Sequence, residues 1–173
     1  SIFMTLAIFP LYGFALIRQP YLIDRQFEVT HLGYIFAGIE VLSSLISWKA
    51  HRIDKVFGFS GLLAALIITL ILTYIALSYA TSAIALAPVA ILYAAFRLNG
   101  IVLNAYTNKH IASEQRATML SLQSMGSSIL LIAFMLSSGY ILDTFSMNPY
   151  LLCLAAYVAV LLLPLWFLRA KFG

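Results

Sequence analysis

Charged residues punctuate this chain, and the apolar stretches between them set its elements. Residues 1–17 hold no Asp, Glu, Lys or Arg, and the apolar pattern runs on through Arg18 to about Ile23. Polar positions 24–31 close this first stretch. A second runs over 32–48, interrupted only by Glu40, and the cluster at 49–55 ends it. Residues 56–96 then carry no charge, which is too long for one helix, so a turn must lie inside. The polar cluster Ser78-Tyr79-Ala80-Thr81-Ser82 is the one available for it. A polar loop follows at 108–116, and Asp143 with the turn signal Asn148-Pro149 separates the last two stretches. Each stretch approaches the roughly 20 residues a helix needs to cross a bilayer. They are rich in Leu, Ala and Ile and none alternates with period two, so a membrane barrel is disfavoured. The pattern predicts an all-α membrane protein: one domain over 1–173 with six transmembrane helices at about 2–23, 32–48, 59–77, 83–105, 117–142 and 150–168.

Composition strengthens that reading. The 173 residues are 63% hydrophobic and 9% charged, with a mean hydropathy of +1.00. Soluble domains are about half apolar and a quarter charged, so the solvent expected for this chain is the lipid bilayer. The sequence pI of about 9.3 is explained by topology, not by nucleic acid. Lys49, Arg52, Lys55, Lys109, Arg116, Arg169 and Lys171 all fall on one side of the predicted helices, against Arg25 and Arg18 on the other. Basic residues concentrate on the cytoplasmic side, so both termini are expected in the cytoplasm of a bacterial inner membrane. Trp48 and Trp166 mark inner helix ends, while Tyr21, Tyr34, Tyr79, Tyr140 and Tyr150 mark outer ones. Cys153 is the lone cysteine, so there is no disulfide framework. Ser1 opens directly into an apolar run, with no initiator Met and no signal-peptide n-region, and the chain reads as a piece of a longer polypeptide.

Polar groups inside a membrane are costly and usually face the bundle interior or a water-filled path. Here the first predicted helix carries Arg18 and Gln19, the second Glu40, and the fourth Arg97, Asn99 and Asn104. The fifth carries Gln123 and a serine series, while the third and sixth hold no charge and read as lipid-facing. Two triplets thus end in a bland helix. They also share a proline followed by an arginine, Pro10 before Arg18 and Pro88 before Arg97. A three-helix unit inverts when repeated, so Arg18 is expected toward the outer face and Arg97 toward the inner one. Interrupted helices at matching places of inverted repeats point to a transporter binding site. The plain alternative is that proline is common in membrane helices and arginine snorkels from either end.

Glu40 is the sharpest single residue. Low dielectric penalises the ionised form of a carboxylate, which suits it to exchange a proton as a proton-coupled transporter requires. The alternative is a structural ion pair or hydrogen bond with Arg97 or Arg18. Tyr12, Tyr93 and Gln123 lie mid-helix and are candidates to line a cavity with Gln19 and Asn104. For the tyrosines, packing with one partner for the hydroxyl is the alternative.

Two segments carry a resemblance. Ala50-His51-Arg52-Ile53-Asp54-Lys55-Val56-Phe57-Gly58 resembles the loop signature G-x-x-x-D-R-x-G-R of the major facilitator superfamily. Asp54 and Lys55 match its acidic-basic pair, Ala50 and Phe57 replace its glycines, and Gly58 stands where arginine is expected. The segment 104–121, ending Glu114-Gln115-Arg116-Ala117-Thr118-Met119-Leu120-Ser121, is similar to the inner loop and start of the eleventh helix in bacterial efflux-type members. Gly139-Tyr140-Ile141-Leu142-Asp143 is similar to that helix's outer end. The resemblance covers the chain as helices seven to twelve, half of the fold, arranged as two inverted three-helix repeats. It implies secondary transport of a small-molecule substrate by alternating access, as proton-coupled efflux. Glu40, Arg18 and Arg97 would supply the charges and Asp54, Lys55 and Arg116 the inner-loop gate. The partner would be the missing N-terminal half, or a second copy.

Other classes fit less well. A self-contained six-helix binding component of a vitamin uptake transporter has similar length, but the loop around Arg116 and the abrupt start fit it poorly. Gly58-Phe59-Ser60-Gly61 suggests a rhomboid-like protease, yet the sole histidine after Ser60 is His110 in a polar loop, leaving the serine no base. His31, His51 and His110 fall in separate loops, so no metal site is expected. No cofactor is expected, and with no phosphate-binding glycine loop direct nucleotide hydrolysis is not supported. No enzymatic activity is expected either.

Overall fold

The computed structural model describes residues 2–48, 50–110 and 113–164. Among them are six α-helices and no strand: α1 (Ile2–Asp24), α2 (Val29–Trp48), α3 (Ala50–Tyr79), α4 (Leu86–His110), α5 (Ser113–Thr144) and α6 (Met147–Tyr157). A 3₁₀ turn (Ser82–Ala85) leads into α4, and α6 continues without a break into a π-wound segment, Val158–Leu162. The π winding lies just before Pro164, whose ring opposes the regular turn preceding it.

Helix ends follow local chemistry. Gln26 adopts φ 67°, the Phe27 N–H bonds the Leu22 carbonyl at 3.0 Å, and the Gln26 N–H bonds the Ile23 carbonyl at 2.9 Å. This is the paired-bond stop in which a left-handed residue ends a helix, here with glutamine in the place glycine usually takes. The polar cluster at 78–82 ends α3 as expected. Asn148 and Pro149, expected in a turn, form the first turn of α6, where proline's missing N–H costs no intrahelical bond. Likewise Pro88 stands in the first turn of α4, whereas Pro10 lies inside α1, so the two prolines are not at equivalent depths. Two expected loops are helical over their described residues: α3 begins at Ala50 and α5 at Ser113, so Asp54, Lys55 and Arg116 belong to helix starts. Charge does not break a helix, and His51 through Lys55 contain no glycine or proline.

The packed interior comes from α1, α3, α4 and α6. Tyr21, Leu22, Ile67, Leu70, Tyr74, Leu77, Val89, Tyr150, Leu151, Val158 and Leu162 are essentially inaccessible. Helix α3 packs most extensively on α6 and α4, α2 on α4, and α1 on α5 and α6. Helices α3 and α6, read from sequence as lipid-facing, are two-sided. Each buries one stripe and exposes another, such as Ile68, Leu72 and Ile75 on α3. The most open faces belong to α2 (Tyr34, Val41, Leu42, Leu45) and α5 (Leu122, Met125, Ile129, Ile132, Leu136). Within α5, Ser124–Thr144 is long and apolar enough to cross a membrane by length and composition. The apolar stretches Val29–Leu45, Leu63–Tyr79, Ser82–Leu98 and Met147–Leu162 are shorter.

A polar clasp joins three helix ends. The Tyr21 hydroxyl donates to the Leu77 carbonyl at 2.9 Å, one of the carbonyls left over at the end of α3. Arg25 donates to the same carbonyl and to Asn148 Oδ1, and its guanidinium lies 5.2 Å from the Tyr21 ring centroid. Ser78 donates to the Asn148 carbonyl at 3.4 Å. Deeper in the bundle, the Tyr74 hydroxyl donates to the Pro10 carbonyl. The crossing of α1 and α5 is close: a Cβ on Gly13 would meet Phe134 ring carbons at 2.7 and 2.8 Å.

Candidate functional site

Four helical spacings build the site. Phe14 and Arg18 are four apart on α1, Phe36 and Glu40 on α2, and Leu92 with Phe96 and Tyr93 with Arg97 on α4. Residues four apart share a helix face, so each helix presents an aromatic or apolar side chain one turn from a charge. These faces converge on a pocket of about 210 Å³ lined by Arg18, Glu40, Tyr93 and Arg97 with apolar walls from Leu11, Phe14, Ala15, Leu92 and Phe96.

Inside it, Arg97 pairs with Glu40, Nη2 to Oε2 at 2.5 Å. Glu40 stands eleven residues beyond Val29 and Arg97 eleven beyond Leu86, so the two helices bring them to one depth. The pair is not sealed, since the side chains are 42% and 49% exposed. Arg18 is held differently. It donates to the Tyr93 hydroxyl oxygen, and its Cζ lies 5.1 Å from the Phe36 ring centroid and 5.5 Å from that of Tyr93. Such stacking of a cation on ring faces is favourable and fixes the guanidinium's orientation. The Phe36 and Tyr93 rings are themselves 6.2 Å apart. Among the described lining residues the net charge is one positive, from two arginines and one carboxylate.

Of the residues singled out from sequence, Arg18, Glu40, Arg97 and Tyr93 meet here. Arg18 and Arg97, expected toward opposite faces, line the same pocket because Arg18 reaches Tyr93, one turn from Arg97. Tyr12 stands beside the pocket, with its ring edge-on to Phe96 at 5.5 Å. Gln19 is exposed and is not among the lining residues. The side chains of Asn104, Gln123, Asp54, Lys55 and Arg116 lie outside the described residues. Phe36, Phe14 and Phe96 were missed, although each stands four residues from a group that was noted or one turn along its face. Among the described residues no three His, Cys, Asp or Glu side chains gather to hold a metal ion. Compared with protein-family models, with curated proteins and with solved structures, the chain matches none.

Proposed function

We propose that this chain is the C-terminal six-helix half of a major-facilitator-type secondary transporter in a bacterial inner membrane, with both termini cytoplasmic. It moves a small molecule by alternating access, as proton-coupled efflux, and catalyses no chemical reaction. The observation that carries the reading is the convergence of Arg18, Glu40, Tyr93 and Arg97 on one pocket from three helices. Charges are expensive inside a bilayer and gather where a path or substrate needs them.

Three further features support it. By length alone, helices α1 to α5, at 20 to 32 residues or about 30 to 48 Å at 1.5 Å per residue, match a hydrocarbon core of about 30 Å, and within α5 the stretch Ser124–Thr144 is also apolar enough. Exchanging the triplet α1–α3 with α4–α6 turns the α2–α4 contact into α5–α1 and returns α3–α6 to itself, and these contacts are present, although the exchange of α1–α2 into α4–α5 finds no comparable contact among the described residues. The pocket and the apolar faces of α2 and α5 are open, as surfaces awaiting a second six-helix half or a second copy would be.

In this reading Glu40 is the candidate coupling group, and its pairing with Arg97 is the contact that the transport cycle would exchange. Glu40→Gln should abolish proton-driven transport in membrane vesicles while the protein still reaches the membrane; unaltered coupling refutes the assignment. Six further spans encoded upstream would support the half-transporter, and an initiator Met immediately before Ser1 would overturn it.

A further inference from the structure

We propose that the ligand of this pocket is a small organic monoanion, a carboxylate seated on Arg18 with its apolar body among Leu11, Phe14, Leu92 and Phe96; the inference rests on reading the pocket as the transport site. The charge inventory selects the sign. Arg97 and Glu40 neutralise each other at 2.5 Å, which leaves Arg18 as the surplus cation among the described lining residues. A guanidinium has five N–H donors, and among the described residues the hydrogen bond Arg18 makes is to a neutral phenol oxygen. Its remaining edge can take a carboxylate through two parallel bonds. The Phe36 and Tyr93 rings already hold the guanidinium in place, so little side-chain freedom is lost on binding. A cationic ligand would meet the surplus positive charge, and a neutral one would leave it unanswered.

Volume sets the size. An apolar cavity of about 150 Å³ holds benzene, so about 210 Å³ suits a single ring or short aliphatic body bearing one acid group. The walls available to that body are aromatic and aliphatic.

The test uses the full chain in lipid nanodiscs and radiolabelled benzoate, displaced by unlabelled benzoate, benzyl alcohol or benzylamine. Benzoate should bind, the alcohol and the amine should compete at least tenfold more weakly, and Arg18→Gln should weaken benzoate at least tenfold with Arg18→Lys less affected. No measurable benzoate binding, or competition by the alcohol or amine less than tenfold weaker, overturns the proposal on the unaltered chain alone. So does Arg18→Gln binding benzoate less than tenfold more weakly. Vesicle flux separates this from the transporter reading. Benzoate binding by the chain, with no proton-driven flux in vesicles carrying the full-length gene product, removes the transporter and keeps the anion site. Proton-driven flux of a neutral or cationic compound that ignores Arg18→Gln does the reverse.

Discussion

The strength of the Glu40–Arg97 pair depends on what covers it, and that dependence is measurable. In the chain alone the two side chains are 42% and 49% exposed, so water and salt screen them despite the 2.5 Å separation. Exposed pairs of this kind couple by about 0.2 to 1 kcal/mol. If a second half closes over the pocket, the same pair loses its water. Removing one partner of a buried pair then costs about 3 to 5 kcal/mol, because the other charge is stranded. The perturbation is a double-mutant cycle of Glu40→Gln, Arg97→Gln and the two together, which isolates the coupling from each side chain's other contacts. The assay is thermal unfolding followed by circular dichroism, first on the six-helix chain in detergent and then on the chain joined to the proposed second half or as a dimer. For a chain of this size about 1 kcal/mol corresponds to roughly 2 to 4 °C in Tm, so each single variant of the chain alone should fall by no more than that. The coupling should rise severalfold in the larger assembly. A coupling of about 3 kcal/mol in the chain alone would refute the solvent-facing pair, and no rise on assembly would refute closure over the pocket.

Other substitutions test the packing. Gly13→Ala places a methyl 2.7 to 2.8 Å from the Phe134 ring, which must retreat by about 1 Å to reach ordinary contact. The expected cost is about 1 to 3 kcal/mol in thermal unfolding, and Phe134→Leu should recover part of it. Gln26→Gly should stabilise by about 1 kcal/mol, because φ 67° strains a side chain with a Cβ and glycine is free of that strain; an unchanged or lowered Tm contradicts the assigned turn. Tyr21→Phe removes a buried hydroxyl's bond to the Leu77 carbonyl, and a loss of about 0.5 to 1.5 kcal/mol is expected. Amide exchange at the α3 end should speed up in that variant.

Hydropathy located the helices because apolar stretches and charges alternate on the scale of a bilayer crossing. It marks where spans end and not where helices end. On the proposed reading, the charges at 49–55 and 108–116 mark where lipid stops, and a helix can continue past that boundary into water. Helix α3 therefore starts at Ala50 and not near residue 59. The stop at Gln26 was hidden because glutamine carries no turn signal, and only its backbone bonds reveal it. Arg18, Glu40 and Arg97 were conspicuous as charges among apolar neighbours. Which of them pair was not legible, since the choice between Arg18 and Arg97 as partner of Glu40 depends on how α2 lies against α4. Phe36 was legible in principle, four residues before Glu40, but an aromatic residue in an aromatic-rich chain draws no notice until a guanidinium is found above its face.

The residues of the pocket also leave the ribosome far apart in time. Glu40 and Arg97 are separated by 57 residues, and Arg18 and Tyr93 by 75. At about 5 to 20 residues per second, Glu40 is made roughly 3 to 11 s before its partner. During that interval the hairpin of α1 and α2 exists with a guanidinium and a carboxylate whose final mates have not been synthesised. Both contacts can close only once α4, which carries Tyr93 and Arg97, has been made.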